Sequence, residues 1–416
     1  MKIINNILTF GLTTVALGMP AIPGHIPGDR LVSNLTEKLK KDPGNAAIYY
    51  LIGRAHYATF SRAVETSWAG KGEVEIFDMS GGLPSFYTMP GNIYPWDSRR
   101  AVEDTADNRR HITEAVRNLS VAIDMTDHPT KRTSVYAESA LAHLTLACTF
   151  DSGALLASQI TLSKPYQDFR TTSSWRSQAS KEYLIAYQKA IVQDARREDR
   201  PLFGLRTLVA YEAGKSFLRL SPNTKEAQEV KSGLEKLDAL PSPHMVTPII
   251  LDLGSPKPLS DLLSSKKWVP FDLDGTGRAQ TYRWVKPTTA FLVWDPQHEG
   301  RITSGRQLFG NATWWMLWNN GYAAMDALDN NRDGWLSGNE LHGLALWYDR
   351  NGNGKCDPGE VISIEQTGIV ALRTRFDGRI GSSLVSQSGI VLKDGRTLPT
   401  YDWVAEQVRS ALDSPR

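Results

Sequence analysis

The chain has 416 residues, 41% hydrophobic and 22% charged, close to the soluble globular average, which excludes a wholly disordered chain, a collagen and a polytopic membrane protein. Its 47 basic and 45 acidic residues leave a formal net charge of +2, without the basic surplus of nucleic-acid binders, so no nucleic-acid partner is expected. The two cysteines, Cys148 and Cys356, belong to no CxxC or Cys/His cluster; two free thiols are expected rather than a zinc site or a disulfide framework.

Residues 1–21 begin with Lys2, run through Ile7, Leu8, Phe10, Leu12, Val15 and Leu17, and reach the small residues Ala16 and Gly18. This is the layout of a secretory signal peptide, with cleavage after Gly18 or Ala21. The apolar run meets Pro20 before it attains the about 20 residues that a membrane span needs. The expectation is a secreted or periplasmic protein that is not integral to the membrane.

From about Arg30 to Leu240 apolar residues recur at three and four spacing, with Pro, Gly and Asn between the runs, which predicts a helical domain over 30–240. Leu31, Leu35 and Pro43 are followed by Tyr49, Ile52, Gly53 and His56, where a helix ends and the next packs through a small glycine. Ala115, Leu119 and Ala122, ahead of an amphipathic run from Val135 to Ala147, repeat the small-large-small spacing, and Tyr187 and Ala190 repeat it more weakly. The pattern resembles tetratricopeptide hairpins, in which small residues let antiparallel helices approach and neighbouring hairpins bury what one cannot. That resemblance implies a helical-repeat surface for a protein partner.

Between Ala69 and Ser98, Gly81-Gly82, Pro84, Pro90, Gly91 and Pro95 predict a long loop or lid. Gly214-Lys215-Ser216 lacks the first glycine of a phosphate-binding loop and sits in a helical run, so no nucleotide site is expected. Pro241, Ser242, Pro243 and His244 form a breaker-rich joint. Beyond it a second domain, 247–404, opens on the β-branched run Thr247 to Leu253 and continues through extended runs at Trp268 to Phe271, Tyr282 to Val285 and Phe291 to Trp294. Nine of the twelve tryptophans lie in this half. Trp314, Trp315 and Trp318 with Tyr322 could stack on sugar rings, but their spacing favours core packing.

The chemistry is concentrated in two twelve-residue stretches. Residues 329–340 place Asp329, Asn331 and Asp333 at positions one, three and five, Gly334 at six, Trp335 at seven through its carbonyl, Ser337 at nine and Glu340 at twelve. Residues 349–360 repeat the order with Asp349, Asn351, Asn353, Gly354, Lys355 through its carbonyl, Asp357 and Glu360. Short oxygen-bearing side chains wrap a hard cation, the glycine takes the sharp turn and the terminal glutamate closes the site with two oxygens, so Ca2+ is the expected ligand. Seven acidic against three basic residues between Gly321 and Glu360 give this stretch a charge of −4 in a nearly neutral chain. Weaker echoes begin at Asp272, which lacks the closing glutamate, and at Asp295, whose twelfth position is Arg306.

The two stretches resemble tandem EF-hand loops. Only Leu341 to Tyr348 separates them, which is read here as one short helix serving both sites, closer to dockerin-like or hemolysin-type calcium repeats than to calmodulin. With Thr247-Pro-Ile-Ile-Leu-Asp-Leu253, Phe271-Asp-Leu-Asp-Gly275, Gly300-Arg-Ile-Thr-Ser-Gly305 and Leu308-Phe-Gly-Asn311, the region to Phe376 is similar to a family of secreted bacterial calcium-binding proteins with a small EF-hand-like module. The fold class expected is mainly α: a tetratricopeptide-like region followed by a small α+β module with tandem EF-hand loops. No HExxH or GxSxG pattern supplies a catalytic residue, and a non-enzymatic, calcium-stabilised secreted scaffold or interaction protein is the favoured function. The alternative is an extracellular hydrolase acting on polysaccharide or peptide, its cleft built from the 69–98 loop and the tryptophans; a dockerin-like partner module ranks third.

Overall fold

Amphipathic sequence and charge placement specify the first helix, α1 (Gly28–Lys41): Leu31, Asn34 and Leu35 share its buried face, Asp29 lies in its first turn and Lys38, Lys40 and Lys41 in its last, each complementing the helix dipole. The computed structural model, which describes residues 26–69, 105–127, 136–162, 164, 166–192, 203–238, 246–275 and 279–408, continues with α2 (Ala46–Ala69), α3 (Ala106–Asp127), α4 (Tyr136–Ala157), α5 (Thr172–Val192), α6 (Phe203–Leu220) and α7 (Lys225–Asp238). The signal-peptide segment and the 69–98 loop expected from the sequence lie, apart from Ala69, outside these residues. Each helix packs on the next, and α4, buried from Ser139 to Asp151, is central, touching α2, α3, α5 and α6. Gly53 permits the α2–α3 approach, since a Cβ there would stand 2.7 Å from Leu119 Cγ. The Gly214-Lys215-Ser216 triplet lies within α6, and Gly214 packs on Tyr187 and Leu234.

The tetratricopeptide expectation is corrected here. Such a repeat has a fixed period of about 34 residues, whereas these helices run from 14 to 24 residues and begin at 28, 46, 106, 136, 172, 203 and 225. Small residues at the crossings produce the same local spacing in any closely packed helix pair.

The mainly α expectation is corrected as well, because the chain from Ile249 onward is built on strands. They are β1 (Ile249–Leu251), β2 (Leu263–Phe271), β3 (Gln280–Val285), β4 (Ala290–Trp294), β5 (Trp335–Ser337), β6 (Leu344–Trp347), β7 (Val361–Ser363), β8 (Ile369–Arg373), β9 (Gly378–Ile380), β10 (Ser383–Leu392) and β11 (Thr397–Asp402). Two short helices, α8 (Leu259–Leu262) and α9 (Gly321–Asp326), interrupt them. Among the described residues β2 and β3 form a hairpin, and the rest form a nine-stranded antiparallel half-barrel in the order β5-β8-β10-β11-β1-β4-β6-β7, with β9 on β10.

Both faces of this sheet are covered. Ile249, Leu251, Leu292, Leu344 and Leu346 point to a core shared with α9 and with Leu31 and Leu35 of α1. Ile250, Phe291, Val293, Ala345 and Trp347 point to a second core under the β2–β3 hairpin, where Phe271, Trp284, Phe291 and Trp347 pack ring on ring at 5.2–6.2 Å. Double burial makes these strands continuous apolar runs instead of alternating ones. For that reason the segment 341–348, expected as a helix, is a 3-10 turn at Gly338–Leu341 followed by strand β6.

The helical half and the sheet also share a core. Trp314, Trp315 and Leu317 adopt left-handed backbone angles (φ 52°, 55° and 58°) and are buried, so these tryptophans are packed side chains rather than a sugar platform. Trp315 and Leu317 belong to the helical core. The Trp315 carbonyl accepts two hydrogen bonds from the buried Arg54 guanidinium (3.1 and 2.9 Å), its indole donates to Glu212 (3.2 Å), and the Met316 carbonyl accepts from Tyr50 (3.1 Å). Among the described residues no helix is long and apolar enough to cross a membrane, and Cys148 and Cys356 are not joined in a disulfide.

Candidate cation-binding loops

The stretches 329–340 and 349–360 fold into two turns that share a common set of hydrogen bonds. In each, the aspartate at position one accepts the N–H of position four (Arg332 on Asp329, 2.6 Å; Gly352 on Asp349, 2.8 Å) and of the glycine at position six (Gly334 and Gly354, both 2.8 Å). The asparagine at three accepts from five (Asp333 on Asn331, 2.9 Å; Asn353 on Asn351, 3.0 Å), and five accepts from seven (Trp335, 2.8 Å; Lys355, 2.6 Å). The closing glutamate ties two distant N–H groups together: Glu340 accepts from Asn330 (2.6 Å) and Ser337 (3.1 Å), Glu360 from Arg350 (2.8 Å) and Asp357 (3.0 Å). Gly334 and Gly354 stand at φ 90° and 70°, the region that favours glycine at such a turn.

Each loop has a buried base and an exposed lip. Asp329, Glu340, Asp349 and Glu360 are at most 6% exposed, whereas Asn331, Asp333, Asn351, Asn353 and Lys355 face solvent. Burial pushes the Asp329 carboxyl above the usual carboxylate range, opposed in part by the Gly334 and Arg332 N–H groups and reinforced by the Glu340 charge. Asp357 is held below that range by the side chains of Asn351 and Asn353, 2.7 and 2.8 Å from it.

All the side-chain donors are oxygens, so the donor set suits a hard cation such as Ca2+. Among the described residues, however, no three His, Cys, Asp or Glu side chains converge in a metal-holding group. The carboxylates of Asp329 and Glu340 are turned to backbone N–H groups, and Asp333 accepts from the Asn331 amide (2.9 Å). The echo at Asp295 repeats the first half of the motif, accepting from Glu299 and Gly300 (both 3.0 Å), but its twelfth residue, Arg306, instead stacks on Trp315 at 4.3 Å. At the other echo, the Asp272 carbonyl accepts from Gly275 and Gly305, and the buried Asp274 accepts from Gln280.

Several residues around the loops carried no signal in the sequence. The Trp284 indole donates to Asp349 (2.7 Å) and the Trp347 indole to Glu360 (3.4 Å). From α1, Arg30 donates to the carbonyls of Leu328 and Glu340 and to Asn330, Asn34 donates to Ala327 and Asn330, and Lys38 pairs with Asp326. About three hundred residues separate α1 from its partners, beyond the reach of any local spacing rule.

The second half is thus an antiparallel half-barrel whose two polar loops run straight into its outermost strands, β5 and β7. The family described as SPM domain matches residues 249–405. The chain is also similar to the Iron-regulated protein FrpA of Neisseria meningitidis serogroup C, 27% identical over 169 residues, covering 38% of this chain and 15% of that protein. The chain therefore spans about 15% of the length of this curated relative.

These findings overturn the resemblance to EF-hand, dockerin or hemolysin-type calcium modules. An EF-hand needs a helix on both sides of its loop. Here the first loop has the six-residue α9 before it and a strand after it, the second lies between strands β6 and β7, and the matching family is a different one.

Proposed function

We propose that the two loops bind Ca2+ in a structural role and that the protein is a secreted or periplasmic scaffold, with a protein partner on its helical half. The observation that carries this reading is the position of the loops. One edge strand of only three residues, Trp335–Ser337, lies within the first loop, and the other, Val361–Ser363, begins directly after the second, at opposite ends of the sheet order. Strands so short hold little by themselves. A divalent cation would draw the carboxylates of Asp329, Asp333 and Glu340, or of Asp349, Asp357 and Glu360, from their present hydrogen-bond donors to one point, and so fix the position of each edge strand. The buried base of each loop holds two carboxylates, a charge that a cation offsets. Helices packed in series offer long side-by-side faces, the geometry on which a partner protein docks. Of the tryptophans that a hydrolase cleft would use, Trp314, Trp315 and Trp318 are buried.

Calorimetric titration with calcium, beside a variant carrying Glu340→Gln and Glu360→Gln, tests the proposal. Two equivalents of bound calcium and a rise in melting temperature are expected for the parent, both lost in the variant. Absence of heat and of thermal shift at millimolar calcium would make the loops metal-free turns and remove the proposal.

A further inference from the structure

The two loops share their main-chain-to-carboxylate pattern and differ in what holds them from outside. The second is held by its own module, through Trp284 on Asp349 and Trp347 on Glu360. The first is held by a helix that precedes the whole sheet in the chain. Arg30 donates from one nitrogen to the carbonyl just before the loop, Leu328, and to the carbonyl of its last residue, Glu340 (3.1 Å). Its Nε donates to Asn330 Oδ1 (3.0 Å), which also accepts from the buried Asn34 (2.9 Å). Asn34 reaches Ala327 O as well (3.0 Å), Lys38 reaches Asp326 O (2.8 Å), and Glu37 faces Arg332 at 3.6 Å. One face of α1 thus fastens the entry and the exit of the first loop to each other.

We infer that Arg30 and Asn34 are positioning residues for cation binding at the first loop, so that docking of α1 and occupancy of that loop favour each other. The inference rests on the calcium reading of these loops. A loop whose ends are already fixed loses less conformational freedom when it closes on an ion. By reciprocity, an ion that prefers the closed loop strengthens the seat of α1. Arg30 also brings a positive charge near Asp329 and Glu340, which opposes a cation. That opposition is screened at the half-exposed rim. Its forked hydrogen bonds are not screened in this way, and they decide the sign. A lysine keeps the charge and cannot reproduce the fork.

Calcium titration of the full chain separates the terms. In protein carrying Glu360→Gln only the first loop is left intact, and there Arg30→Ala and Arg30→Lys should each weaken calcium binding about tenfold or more. In protein carrying Glu340→Gln the same Arg30 changes should leave the second loop within about twofold. Asn34→Ala, which keeps the arginine, should shift the first loop in the same direction, and calcium-free melting checks that each variant is folded. First-loop affinity unchanged or tightened in folded Arg30→Ala protein overturns the inference, as does an Arg30→Lys protein that binds like its parent. Should the parent take up two equivalents while the Arg30 variants change nothing, this inference alone falls. Should the parent take up none, the calcium reading falls with it.

Discussion

Position four of the two loops is a controlled comparison within one molecule. Arg332 and Gly352 occupy it at φ 64° and 66°, so the first loop holds a side chain in a backbone region that costs a non-glycine residue roughly 1–2 kcal/mol. The glycines at position six are not equivalent either. A Cβ on Gly354 would stand 2.4 Å from Val269 Cγ1 and 2.7 Å from Pro270 O, whereas the atom closest to a Cβ on Gly334 is Arg375 Nε at 3.4 Å. Gly354→Ala is therefore expected to cost about 2–4 kcal/mol, adding overpacking to the strained angle, and Gly334→Ala about 1–2 kcal/mol. Urea denaturation without calcium would show the order, and equal losses would contradict the packing argument. Asp402 supplies a pH dependence. It is buried, its Oδ1 accepts the Gly321 N–H at 2.9 Å, and burial pushes its carboxyl up to about 7. Against an unfolded value near 3.9, the folded state prefers the protonated acid. This group's contribution is full below about pH 4 and declines as the pH rises through about 7, by an amount on the order of 4 kcal/mol. Asp402→Asn should flatten that decline, and a stability profile between pH 4 and pH 8 that is identical in parent and variant would refute the assignment.

At the scale of elements, a three-residue edge strand leads into a 3-10 turn twice: Trp335–Ser337 into the Gly338–Leu341 turn, and Val361–Ser363 into the Ile364–Gln366 turn. Both glutamates serve loops whose bonds close within twelve residues, which is why those bonds follow positions that can be counted along the sequence. The runs Ile249–Leu251, Gln280–Val285 and Ala290–Trp294 are legible as strands for a related reason, since β-branched and aromatic residues dominate them. Leu344–Trp347 is not, because burial on both faces erases the alternation that marks a strand. Nor do the flanking residues reveal whether a polar loop joins helices or strands. A loop reports its own turn, and its neighbours acquire their class from the sheet they enter.

For the whole molecule the decisive region is the seam between helices and sheet. Arg54 reaches the Trp315 carbonyl twice and donates to Thr145 (3.0 Å), with Glu212 as its buried opposite charge. Removing a buried charged partner leaves the remaining groups unpaired and typically costs about 3–5 kcal/mol. Arg54→Ala should therefore melt lower and separate into two calorimetric transitions where the parent shows one. A variant that keeps a single transition at the parental temperature would show that the seam contributes little to cooperativity.

The left-handed turn at Trp314, Trp315 and Leu317 bears on the order of events at the ribosome. Arg54, Glu212 and Tyr50 are all translated before residue 313 emerges, so the socket can already be in place when its plug is synthesised. On that order the helices would offer the nascent sheet a template for a left-handed backbone shape that non-glycine residues rarely hold.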